Sequence, residues 1–296
     1  MKRILLFIAT NIAVIITISL ILKILGVQPS LTANGINYQS LAIFCLIWGM
    51  TGSIISLLLS KTIAKMSMGV RIIDPRSRNH EFSKLVLTVH RLARQAGLSG
   101  MPEVGVYESP EPNAFATGAH RNNALVAVST GLLQLMQPDE VEGVLGHEIS
   151  HIANGDMVTM ALLQGVVNAF ALFLARMIAF IVSNAFARGD NENTSLGVYY
   201  LVSIIFEILL VALGSMIVAA FSRWREFRAD AGGAQLAGRS KMVSALQRLK
   251  TITENSDIKD KRGESLNTLK ISHQSSWLRL FASHPPLIER ISRLQH

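Results

Sequence analysis

The sequence predicts a mainly α-helical, multi-pass membrane protein in which four transmembrane helices accompany one cytosolic α+β domain with a small sheet. Three observations predict it. Half of the 296 residues are hydrophobic and 16% are charged, too apolar a composition for a soluble protein of this length. Four stretches, 4–25, 41–59, 157–183 and 196–220, are long enough for a bilayer, which needs roughly 20 apolar residues per helix. The segments outside them carry amphipathic and alternating patterns of a folded domain, enough for one modest core.

The first stretch follows Met1-Lys2-Arg3 and has no small-x-small cleavage site before Lys23, so it reads as an uncleaved anchor. Basic residues then set the orientation. Lys2 and Arg3 precede span one, Lys61, Lys65, Arg71, Arg76 and Arg78 follow span two, and Arg223, Arg225 and Arg228 follow span four. The loop 26–37 has no Lys or Arg, and in the loop 184–195 Arg188 is offset by Asp190 and Glu192. Both termini are therefore expected in the cytoplasm. The domain boundaries implied are a hairpin at 1–60, a first cytosolic part at 61–156, a second hairpin at 157–220 and a second cytosolic part at 221–296.

Within the first cytosolic part, Phe82, Leu85, Val86, Val89, Leu92, Ala93 and Ala96 recur at helical spacing before Gly97. Strand-like runs follow at 103–107, 114–117 and 125–129, separated by Pro, Asn and Gly. Pro138 suits the first turn of the next helix, Asp139 and Glu140 complement its positive end, and Asn154-Gly155 closes it. In the second part, 242–249 and the end of the chain are helical by pattern, while 254–268 is charged and reads as mobile.

The composition also excludes partners. The formal charge of +8 comes without a basic stripe interleaved with aromatics, so nucleic acid is not expected. No Gly-x-x-x-x-Gly-Lys loop is present, so no nucleotide is expected either. A lone cysteine, Cys45, can build neither a disulfide nor a thiolate metal site within one chain. Any metal must be held by histidine and carboxylate.

His147-Glu148-Ile149-Ser150-His151 is an H-E-x-x-H sequence on the predicted helix starting at Pro138. Histidines at i and i+4 share one helix face and can bind one zinc. Zinc lowers the pKa of bound water to about 7, and a carboxylate beside it can take the proton during attack on a carbonyl, which makes Glu148 the candidate general base. A third ligand must come from elsewhere: Asp156, Glu226, Asp230, His273 and His284 are the candidates. The second hairpin returns the chain to the surface it left and brings Glu226 near the histidines. Glu226 and Asp230 are spaced i, i+4, so one can bind metal while the other supports an imidazole, and spacing does not say which does which.

These residues carry a resemblance. Asn113-Ala114-Phe115-Ala116-Thr117-Gly118, Gly146-His147-Glu148-Ile149-Ser150-His151, Arg225-Glu226-Phe227-Arg228-Ala229-Asp230 and Ser283-His284-Pro285-Pro286 together resemble the gluzincin family of membrane metallopeptidases that includes the type I CAAX prenyl proteases. The resemblance covers essentially the whole chain. It implies that His147, His151 and Glu226 hold one zinc ion, that Glu148 is the base, and that Asp230 supports a ligand histidine. It further implies a zincin-like domain and ATP-independent cleavage of damaged or misfolded membrane proteins at the bacterial inner membrane.

Two elements have mechanistic readings. Asn113, Ala114, Phe115 and Ala116 fit an edge strand that pairs with an extended substrate, although an interior strand reads the same way in sequence. His284 can donate to a tetrahedral oxyanion or sit on a surface turn, and the resemblance favours the former. Arg176 and Glu207 interrupt spans three and four about two turns from the connecting loop, so antiparallel packing brings them level as an ion pair. An intramembrane protease would carry its motif on an apolar helix, whereas this one opens with Asp139, Glu140 and Glu142. A transporter whose histidines bind its cargo could use Arg176 and Glu207 in its pathway, but the sequence shows no paired broken helices and four spans are few for one chain. A membrane endopeptidase acting on membrane-protein or unfolded polypeptide substrates leads.

Overall fold

A computed structural model of the chain describes residues 16–17, 20, 23–24, 31–32, 35–76, 79–186, 192–255 and 278–295. The chain separates into two compact units, Met1–Ser56 with Met160–Val218, and Leu57–Thr159 with Ala219–His296.

In the first unit Ile16, Thr17, Leu20, Lys23 and Ile24 are helical, and a short antiparallel pair follows, β1 (Leu31–Thr32) and β2 (Gly35–Ile36). Three long helices follow in the chain: α1 (Tyr38–Met68), α5 (Asp156–Phe186) and α6 (Glu192–Ala237). All three are long and apolar enough to cross a membrane, and they contain the second, third and fourth expected spans. The expected first span, 4–25, lies almost wholly outside the described residues, as do most of the charged stretch 254–268 and His273. Within this unit Leu41, Phe44 and Cys45 of α1 pack on Leu172 of α5. Ser53 Oγ donates to the Ala161 carbonyl, satisfying a hydroxyl that lipid could not. Arg176 Nη1 lies 3.8 Å from Glu207 Oε2 and also donates to the Leu172 carbonyl, and its guanidinium sits 5.6 Å from the Phe44 ring centre.

The second unit holds a four-stranded mixed sheet built from β3 (Arg71–Ile72), β4 (Glu103–Tyr107), β5 (Ala114–Thr117) and β6 (Leu125–Ser129), in the order β3-β4-β6-β5. The β4–β6 pair is parallel and the other two are antiparallel. This leaves β5 at an edge, with Ala114 opposite Val128 and Thr117 opposite Leu125. Ser129 anchors that edge: its Oγ accepts from the Asn113 and Leu132 amides and donates to the Glu111 carbonyl, so one hydroxyl starts β5 and caps α3 (Thr130–Leu135).

Helices α2 (His80–Gln95) and α4 (Pro138–Asn154) cover the sheet. Asn79 caps α2 through its side-chain oxygen, and Leu85, Val86, Val89, Leu92 and Ala93 form its buried stripe. Helix α4 starts with Pro138 in its first turn and a reciprocal capping box between Gln137 and Glu140. It ends at Gly155, whose φ of 69° is left-handed and open to glycine at little cost. Helices α7 (Arg239–Asn255) and α8 (Leu287–Gln295) complete the unit, with Met242, Leu246 and Leu294 forming a small core between them.

An unpaired charge in a transmembrane helix costs about 2.5–3.5 kcal/mol on insertion scales. Arg176→Ala and Glu207→Ala are each expected to lower the melting temperature of the detergent-purified protein, and the double variant to recover most of the loss. A double variant as unstable as the sum of the two singles would deny the pair any role in holding α5 against α6.

Candidate active site

Helix α4 supplies His147, Glu148 and His151; α6 supplies Glu226 and Asp230. The two helices meet where neither has a side chain in the way. A Cβ on Gly233 would come within 2.9 Å of the His147 amide nitrogen, and one on Gly146 within 3.0 Å of the Ala237 methyl. Backbone contact this close needs glycine on both sides. It brings the α6 carboxylates within reach of both α4 histidines.

His147 Nε2 and His151 Nε2 are 3.1 Å apart, His147 Nε2 and Glu226 Oε2 are 3.4 Å apart, and His151 Nε2 and Glu226 Oε1 are 3.2 Å apart. All three side chains are buried, Glu226 completely. Tetrahedral ligands about 2.0–2.1 Å from a zinc ion stand roughly 3.3 Å from one another. The spacing of these atoms therefore fits a metal ion, and the triad is the His/Cys/Asp/Glu cluster with such spacing among the described residues.

Each imidazole is held from behind. His147 Nδ1 lies 2.9 Å from Asp230 Oδ1, and His151 Nδ1 lies 2.6 Å from Asp156 Oδ2. A carboxylate on Nδ1 keeps the N–H there and leaves Nε2 free as a ligand atom. The spacing of Glu226 and Asp230 left their roles open; in the structure Glu226 lies between the histidines and Asp230 behind one of them. Asp156, considered from sequence as a third ligand, instead backs His151. It reaches back because Gly155 joins α4 to α5 through a single left-handed residue.

Arg290 is the residue that sequence reasoning missed. Its Nε and Nη2 donate to Asp230 Oδ2 and Oδ1 at 2.8 and 2.6 Å, and Nη2 also lies 3.4 Å from His147 Nδ1. The signal was present: Leu287, Arg290, Ile291 and Leu294 make the i, i+3, i+4, i+7 stripe of α8, so the arginine occupies a core-facing position. His284 Nδ1 is 2.7 Å from Glu226 Oε2, so the histidine expected at an oxyanion touches a candidate metal ligand. Asn113, Ala114, Phe115 and Ala116 line one cavity of about 210 Å³ together with His147, Glu148, His151, Glu226 and His284. Arg176 and Glu207 belong to the first unit and take no part in this cluster.

The electrostatics follow from burial and charge. Burial alone would lower the His147 pKa, but its bonds to Asp230 and Glu226 outweigh it and push it up to about 10 in the metal-free protein. Burial would raise the Glu226 carboxyl, yet His147, His151 and His284 hold it well below its usual range. Asp230 is likewise depressed, its burial outweighed by the Arg290 guanidinium and by His147.

Comparison with known proteins places the chain in a family. The model of peptidase family M48 matches residues 79–296. The chain belongs to peptidase family M48. It is 50% identical to Protease HtpX of Thioalkalivibrio sulfidiphilus over 303 residues, covering 100% of this chain and 99% of that protein. It is 52% identical to the Protease HtpX homolog of Nitrosomonas europaea over 298 residues, covering 100% and 99%. Among solved structures it is similar in fold to S. mikatae Ste24p, with a TM-score of 0.59 at 16% identity, covering 99% of this chain and 66% of that one. This M48 member is a multi-pass membrane metallopeptidase, and the transporter alternative is left without support.

Two outcomes test the site. Arg290→Ala strands the buried Asp230 carboxylate and is expected to weaken metal affinity about 10–100-fold in chelator competition, with Arg290→Lys recovering part of it. Because a metal needs the neutral imidazole, loading the metal-free protein at pH 7 should release a proton from His147. The apparent affinity should then rise about tenfold per pH unit from pH 7 to 9 and level off above about 10, as titration calorimetry in buffers of different ionisation enthalpy would show.

Proposed function

We propose that this M48 member is a zinc-dependent, ATP-independent endopeptidase that cuts damaged or misfolded membrane proteins and other unfolded polypeptides at a cytoplasmic site on the bacterial inner membrane. The observation that carries the reading is the buried triad of ligand atoms 3.1–3.4 Å apart with Glu148 lining the same cavity. Two imidazoles and one carboxylate suit zinc and leave a fourth position open. His147, His151 and Glu226 would hold it. When bound, zinc supplies Lewis acidity that makes water a nucleophile near neutral pH and polarises the scissile carbonyl.

The chain's own groups do the rest. Glu148 takes the proton of the attacking water and returns it to the leaving amine. Asp230 and Asp156 keep protons on the Nδ1 atoms of His147 and His151, and Arg290 fixes the Asp230 carboxylate. His284 Nδ1 is engaged by Glu226, which leaves Nε2 for a developing oxyanion. Both nitrogens donate at once only when the ring is charged. The outer edge of β5, from Asn113 to Ala116, aligns an extended substrate by backbone pairing, which favours broad sequence tolerance.

The lysines and arginines that follow the second and fourth expected spans support a cytoplasmic site. We assign 1–60 and 157–220 to the membrane hairpins, and 61–156 and 221–296 to the two parts of the catalytic domain. The relatives named proteases support a role in proteolysis.

The test is cleavage of a casein-like unfolded substrate by detergent-purified protein without nucleotide. Glu148→Gln is expected to lose activity by about 10²-fold or more with its metal content unchanged. Chelation should abolish wild-type activity and zinc should restore it. Persistent cleavage by Glu148→Gln would remove Glu148 as the base.

A further inference from the structure

Trp224, Leu280 and Phe281 are large apolar side chains exposed by 52%, 44% and 40%. Single apolar residues on a surface are ordinary, but these three are tied to one level of α6. Arg223, the residue before Trp224, donates through Nη1 to the Leu280 and Ala282 carbonyls at 3.2 and 2.7 Å, which fastens the short 3₁₀ turn Leu278–Phe281 beside that level. The exposed Arg228, one turn farther along α6, stands with its guanidinium 5.0 Å from the Trp224 ring centre.

Helix α6 gives this level a depth. It is continuous from Glu192 to Ala237, and its expected span ends at residue 220. At 1.5 Å of rise per residue, Trp224 stands about 6 Å beyond that end. The headgroup layer on each side of a bilayer is about 5–7.5 Å thick, half the difference between the whole membrane and its hydrocarbon core. Trp224 therefore falls within it. Side chains on a helix lean toward its N-terminus, which here is the side of the span, so Arg223 draws the 280–282 carbonyls toward the membrane.

We infer that Trp224, Leu280 and Phe281 form a lipid-binding foot that enters the headgroup layer of the bilayer crossed by α6. An indole, two apolar side chains and an adjoining cation match a layer that is apolar on its inner side and carries phosphate on its outer side. The foot is also continuous with the span, since Trp224 belongs to the same helix. Its place matters for the cavity. His284 follows Phe281 by three residues, at most about 11 Å of extended chain, and its Nδ1 meets Glu226. On the peptidase reading, the candidate metal centre then sits beside the headgroups, within reach of polypeptide emerging from the bilayer; the foot itself does not depend on that reading.

The test uses the full chain in phosphatidylcholine–phosphatidylglycerol vesicles. In a Cys45→Ala background a fluorophore is attached at Leu280→Cys, at Phe281→Cys or, as a reference, at Ile208→Cys, the midpoint of the span 196–220 and 67% exposed. Lipids with a nitroxide near the headgroup should quench the labels at 280 and 281 about threefold or more strongly than lipids with a nitroxide deep in the acyl chain, and the order should reverse at 208. Nitroxide lipids that quench 208 alone, with aqueous iodide quenching 280 and 281, overturn the foot. The unaltered protein supplies a second measurement that no substitution can disturb. A lipid-partitioning carbene precursor, activated by light, should modify Trp224, Leu280 and Phe281, as read by mass spectrometry. Modification of the spans with none at these three residues overturns the foot whatever the variants show. Neither measurement needs cleavage, so a lipid-buried foot on a zinc-loaded protein that cuts nothing would sink the peptidase reading alone.

Discussion

The Glu226 carboxylate, fully buried between two histidines, is the constraint on which the catalytic unit depends. A carboxylate removed from water costs several kcal/mol unless charges and hydrogen bonds replace its hydration. Here His284 Nδ1 lies 2.7 Å from it and Arg225 Nη2 donates to it, while the Nε2 atoms of His147 and His151 stand 3.4 and 3.2 Å away, where a metal ion shared with the carboxylate would supply positive charge. The glycine contact between α4 and α6 is the means: Gly146 and Gly233 let the helices approach until the residues flanking them on each helix share one small space.

Around that carboxylate the supports form layers. Arg290 holds Asp230, which holds His147; Gly155 turns the chain so that Asp156 holds His151. The C-terminal segment lies along one face of α6: Arg223 donates to the Leu280 and Ala282 carbonyls, His284 meets Glu226, Arg290 meets Asp230, and Arg293 stacks 3.6 Å from the Phe227 ring centre. Residues 223, 226, 227 and 230 fall at i, i+3, i+4 and i+7, the spacing of a single helix stripe. That stripe is mostly polar, so its partners are charged side chains and carbonyls where an ordinary core would use apolar contacts.

The sheet serves the same centre from the other side. Ser129 ties the start of β5 to the cap of α3, so the edge strand and the core residue Leu132 share one anchor. Among the described residues, strand order leaves β5 with an unpaired side, which a sheet usually protects and which a protease can use on an extended chain.

The sequence by itself determined the local elements and the chemistry of the centre. The α2 stripe, the three strand runs, Pro138 and Gly155 at the ends of α4, and the i, i+4 histidines are set by contacts within a few residues, where periodicity and capping are sufficient. Tertiary structure alone decided which of Glu226 and Asp230 lies between the histidines, that Asp156 backs His151, that His284 touches Glu226, that β5 is an edge, and that Arg290 joins the site. The physical reason is distance along the chain. Residues 147 and 226 are brought together by the crossing angle and closeness of two helices, and residue 290 by the docking of a third. A helix stripe records that a face is buried, but not what lies against it.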